Sequence, residues 1–149
     1  MNFRAFFQYI SYLQYPLMLV GLYFFIAPYL HGFAALKANP SLIFSHFNLG
    51  FIFMGLGISF SSLQDTTKTQ NKFSLEIWQH PKKGTIMIVM MSLMILFFLL
   101  FGLMGYFFSE PGGLKEMSVG VIVFSLGMFG FLKAAVEMFE NHRTDKNIS

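Results

Sequence analysis

The 149 residues contain no cysteine. That excludes disulfides, thiolate metal sites, iron–sulfur ligation and cysteine nucleophiles, while leaving the redox compartment open. Charge is scarce: Asp, Glu, Lys and Arg together make up 11% of the chain, against roughly 25% in an ordinary soluble domain. Tryptophan occurs once, at Trp78. No Ser-His-Asp set, paired-carboxylate site or metal motif falls in one coherent place, so an enzyme is disfavoured. The net charge of +3 is small. Its basic residues sit near the ends of apolar runs, which is the bias of membrane loops, so nucleic acid is not an expected partner.

What fills the chain is apolar. Hydrophobic residues make up 55%, with 21 phenylalanines and 11 methionines. A globule of this size in water does not bury that much apolar surface, whereas a lipid phase solvates it. Four runs stand out, at about 10–31, 41–63, 85–108 and 115–138. Each approaches the roughly 20 residues needed to cross about 30 Å of hydrocarbon. They lack the alternation of barrel strands, and an open sheet edge has no partners in lipid, so they read as helices. The expected fold is an all-α integral membrane protein, a single domain of four transmembrane helices in a bundle. The first run also admits a cleaved signal peptide, but Leu36 and Ala38 before Asn39 match the small-x-small pattern poorly.

Orientation follows from the flanking cations. Arg4 precedes the first run; Lys68, Lys72, Lys82 and Lys83 fall between the second and third; Lys133, Arg143 and Lys146 flank the end of the fourth. The other two linkers hold only Lys37 and Lys115. Both termini and the second linker are therefore expected in the cytoplasm. Within that linker, the segment from Phe73 to His80 reads as a short helix on the membrane surface, anchored by Trp78 with Lys82 and Lys83 at the head groups.

Positions seven apart nearly superpose on a helix. One line joins Gln14, Gly21 and Pro28; another joins Gly50 and Gly57; a third joins Gly120, Gly127 and Ala134. Small residues at this spacing let membrane helices approach closely. The second span carries a further line on its opposite side, Asn48, Gly55, Ser59 and Ser62. A helix small or polar on two faces is expected to be central. The third span shows no such line and is expected to face lipid.

Four features have functional readings. Between Met117 and Val136 of the fourth run, Lys133 is the one charge; Glu137, one turn on, and Asp65 at the end of the second span are its candidate partners. Snorkelling is the favoured reading, and a proton or substrate relay the alternative. Asn48, Ser59 and Ser62 with Asp65, Lys133 and Glu137 form either a polar path or packing contacts. His31 and His46 fall at similar depths and are weak candidates for a b-type haem; no cofactor or metal is otherwise expected. Trp78, Lys82 and Lys83 serve an anchoring role or a partner-docking one.

The stretch from Ile52 to Phe73 (IFMGLGISFSSLQDTTKTQNKF), continued by Ile77-Trp78 and Pro81-Lys82-Lys83-Gly84, resembles one in small, uncharacterised multi-span inner-membrane proteins of Bacteroidota. The resemblance implies an inner-membrane protein of a Gram-negative bacterium and carries no activity, cofactor or substrate with it. The leading expectation for function is an accessory or structural subunit that binds lipids, other membrane proteins or a second copy of itself. A small oligomeric transporter or channel is the alternative, and a haem- or quinone-associated electron-transfer subunit the third.

Overall fold

The computed structural model describes residues 3–30, 32–67 and 72–147. Its helices are α1 (Phe3–Ser11), α2 (Gln14–Leu30), α3 (Phe33–Ala38), α4 (Ser41–Ser61), α5 (Lys72–Gln79), α6 (Pro81–Phe108) and α7 (Gly113–His142), followed by a 3-10 turn at Thr144–Asn147. Among the described residues there is no strand. Four helices are long and apolar enough to cross a membrane: α1 with α2, α4, α6 and α7.

Local chemistry explains the boundaries. Pro16 has no amide to offer the Tyr12 carbonyl, so the chain tightens there. The Leu13 amide bonds back to Ile10 and the Tyr15 amide to Tyr12, both three residues away, at 3.0 and 3.2 Å. This joint separates α1 from α2. Gly32, at φ +82°, adopts the left-handed conformation that commonly closes a helix. The linker expected between the first two spans contains the short α3. Helix α6 starts at Pro81, four residues before the expected 85, because proline is compatible with the first helical position. Helix α7 likewise runs beyond both ends of the expected 115–138.

Packing follows the order α2–α4–α7–α6. Helix α2 packs on α4, α4 on α7, and α7 on α6. The two glycine lines of α4 explain why it takes two neighbours. Gly50 lies against the Phe25 ring and Gly57 against Met18, both on α2, whereas Gly55 meets the backbone of Phe124 on α7. At 100° per residue, Gly55 is about 140° from Gly50 and about 160° from Gly57. The neighbours therefore sit on nearly opposite sides of α4. Helix α7 repeats the device: Gly120 and Gly127 face Asn48 and Gly55 of α4, while Ser118 and Ile122 face Gly105 and Gly102 of α6. The first line of α2 is turned inward, with Gln14, Gly21 and Pro28 all buried.

Helix α4 is central as expected, packed between α2 and α7, and α7 is likewise packed on two sides. Two expectations need correction. Helix α6 does carry a packing line: Gly84 lies under the Phe139 ring, Ile95 is 1% exposed, and Gly102 meets Ile122. The steps of eleven and seven residues return to nearly one direction at 100° per residue. Gly84 falls just before the expected start at 85, and Ile95 is one apolar residue among many in the run, so the line does not stand out in the sequence. Finally, Trp78 is a core side chain rather than a surface anchor. It is buried with Ala135 and Phe139, and its indole N–H donates to Ser74 Oγ at 3.0 Å. Phe73 is the exposed aromatic of α5. Lys83 pairs with Glu76 of α5 at 2.6 Å, and Lys82 is exposed.

Candidate functional site

Beyond the last turn of α4, the chain leaves the helix and meets α1 and the end of α7. The Asp65 amide donates to Gln8 Oε1 of α1 at 2.9 Å. Asp65 Oδ1 in turn accepts from the Thr67 amide at 3.1 Å and from the Thr67 hydroxyl at 2.7 Å, a side chain closing its own turn. Asn141 of α7 donates to the Thr66 carbonyl at 3.4 Å and to its hydroxyl at 3.3 Å. These contacts tie three chain segments around a cavity of about 640 Å³, within the range of small-molecule pockets.

The cavity is built in two zones. Phe3 and Phe7 of α1, Leu63 and Val136 supply apolar wall. Arg4, Asp65, Lys133, Glu137 and Glu140 supply charge, with Ser62, Gln64, Thr66, Thr67 and Asn141 between them. Lys133 Nζ lies 2.7 Å from Glu137 Oε1, the pairing expected from the i,i+4 spacing. Its side chain is 72% exposed, so the charge reaches outward rather than into the helix packing.

Four of the six residues nominated as a polar path therefore share this cavity: Ser62, Asp65, Lys133 and Glu137. Asn48 and Ser59 do not line it; they belong to the packing of α4. Asn48 Oδ1 accepts from the Gly120 amide across the α4–α7 contact at 2.8 Å. Ser59 donates to the Gly55 carbonyl of its own helix at 2.9 Å, and Ser62 to Ser59 at 2.7 Å, so these hydroxyls are satisfied locally. Beside them a Cβ on Gly55 would stand 2.7 Å from Phe124 Cα, which leaves no space between the helices there.

Sequence reasoning missed Arg4, Glu140 and Asn141 as members of the site. Glu140 and Asn141 had a signal, since Glu137 lies four residues after Lys133, and Glu140 and Asn141 lie three and four after Glu137, the spacings of neighbours on a helix surface. Arg4 had none, because its position depends on the bend at Tyr12–Leu13.

His46 is half-buried; its Nδ1 lies 2.8 Å from the Leu42 carbonyl oxygen, and its ring lies beside Phe24. His31, the other member of the haem pairing, lies outside the described residues. Among the described residues no group of three His, Asp or Glu side chains converges on a metal-sized position. No protein-family model, curated protein or solved structure matches the chain.

Proposed function

We propose that the chain is a multi-pass protein of the bacterial inner membrane, with both termini in the cytoplasm, and that it works by binding lipids or other membrane proteins as an accessory or structural subunit. The observation that carries this reading is the helix order. Each outer helix packs along one neighbour, which leaves long apolar faces on both. On α2 these include Leu19, Tyr23 and Ile26; on α6 they include Leu93, Phe97 and Met104. Such surface is soluble only in lipid or against another apolar protein face. The cation-rich flanks support the orientation, and the resemblance noted above supports the inner membrane.

Purification from native membranes in a mild detergent tests the reading. A membrane protein or lipid should accompany the chain in a fixed ratio through two chromatographic steps. A monodisperse monomer carrying neither would contradict it.

A further inference from the structure

We propose that the cavity between α1, the end of α4 and α7 binds one glycerophospholipid by its phosphate diester, with Arg4 as the phosphate-binding residue and no preference set by the head-group substituent. The inference deepens the binding reading given above and rests on it.

Placement comes first. From Met117 to Leu132 the chain of α7 carries no charged residue, a rise of about 24 Å at 1.5 Å per residue. Lys133 and Glu137 follow at once, so the cavity opens where hydrocarbon gives way to head groups. Arg4 is brought there by its own helix. Arg4, Gln8 and Ser11 are spaced four and three apart and share one side of α1. That side is turned to the protein: Gln8 Oε1 accepts from the Asp65 amide at 2.9 Å, and Ser11 is 0% exposed. Arg4 lies one turn beyond Gln8 and lines the cavity.

Charge decides what is bound. The carboxylates of the wall already have partners within the protein. Glu137 holds Lys133 at 2.7 Å, Glu140 holds Arg143 at 3.3 Å, and Asp65 accepts twice from Thr67. Asp65 and Glu140 each engage a further neighbour as well. A head-group amine therefore finds no acid waiting for it. Arg4 is the exception, because among the described residues no ion pair uses it. Its planar fork matches two oxygens of a phosphate diester, the group common to all glycerophospholipids. Phe3, Phe7, Leu63 and Val136 line the same cavity. They give the first carbons of the acyl chains an apolar wall, which a soluble phosphate ester would leave uncovered.

The test is native mass spectrometry of the full chain released from nanodiscs that hold phosphoglycerol, phosphoethanolamine and phosphocholine lipids and a diacylglycerol in equal amounts, all with the same acyl chains. Wild-type protein should retain one phospholipid and no diacylglycerol, the three head groups agreeing within about threefold. Arg4→Gln should lower that retention about tenfold, the scale of one lost charge-assisted hydrogen bond. Lys82→Gln removes an exposed cation outside the cavity and should leave retention unchanged. Glycerophosphocholine, the same diester without acyl chains, should fail to displace the lipid even in large excess. Trp78 emission reports whether each variant is folded, and the wild-type comparison with diacylglycerol stands even where a variant is not. Diacylglycerol retained as well as phospholipid, a wider preference for one head group, or displacement by the chain-free diester overturns the proposal. So does Arg4→Gln matching either wild type or Lys82→Gln. In each of these cases the retained lipid leaves the binding reading standing. A chain that retains no lipid and no protein overturns both.

Discussion

Replacing Gly55 by alanine tests the packing at its tightest point. A Cβ there would stand 2.7 Å from Phe124 Cα, 2.8 Å from the Val123 carbonyl oxygen and 2.9 Å from the Phe124 amide nitrogen. All three are backbone atoms of α7, so no rotamer change relieves the clash. Ordinary contact between carbons lies at about 3.5–4.0 Å, which obliges α4 and α7 to part by about 1 Å. A gap of 0.5–1 Å forfeits roughly a quarter to a half of each dispersion contact along the interface. Added to the usual overpacking cost of about 1–3 kcal/mol, and less the roughly 1 kcal/mol of helix propensity that alanine gains over glycine, this puts Gly55→Ala near 2 kcal/mol. Gly57→Ala is the matched control. Its Cβ would meet Met18 Cγ at 2.8 Å, a flexible side chain, and backbone only at 3.3 Å. Alanine also gains about 1 kcal/mol of helix propensity over glycine, so that variant should be close to neutral. Reversible unfolding in mixed micelles, followed by far-UV circular dichroism, measures both. Gly55→Ala within about 0.5 kcal/mol of wild type, or less stable by a smaller margin than Gly57→Ala, would refute the argument.

Ile95→Ala should cost about 2–5 kcal/mol in the same assay because the side chain is 1% exposed, whereas Leu93→Ala, at 62% exposed, should fall within about 0.5 kcal/mol. Trp78, the sole tryptophan, is 8% exposed; its emission should be blue-shifted and resist aqueous acrylamide, and the spectrum of a water-exposed indole would contradict its place beside Phe139. The Lys83 hydrogen bond and charge hold the Glu76 carboxyl below its ordinary value of 4.5. The pair therefore supports the fold above that ordinary value and loses its contribution as pH falls through the lowered one. Because both groups are exposed, the effect should be small, fade in high salt and vanish in Glu76→Gln, which unfolding midpoints measured across acidic pH will report.

Much of this arrangement is written in short-range pattern. The Gly50–Gly57 line and the opposite line through Asn48 and Gly55 are each spaced to keep one direction on a helix, and they face α2 and α7 respectively. The i,i+4 spacing of Lys133 and Glu137 is enough to anticipate their ion pair. What was not legible depends on tertiary placement. Trp78 sits in a segment whose alternatives, a lipid surface or the side of α7, are both apolar, so composition does not choose between them. The wrapping of α7 between α4 and α6 could not be read from a run already rich in glycine on one side, since Ser118 and Ile122 are unremarkable members of an apolar helix. The cavity escaped for a similar reason: its wall joins residues from both ends of the chain, Arg4 and Asn141, through a bend of two residues.

Absence of cysteine makes the decisive topological measurement clean, since each introduced thiol is the only one in the chain. Asn39→Cys, Thr67→Cys and Glu110→Cys place that thiol in each of the three linkers, all at exposed positions. In intact spheroplasts a membrane-impermeant maleimide should label positions 39 and 110, and should reach position 67 only after the membrane is opened. Labelling of position 67 in intact spheroplasts, with 39 and 110 protected, would invert the orientation. Equal labelling of all three before the membrane is opened would contradict a chain that crosses the bilayer four times.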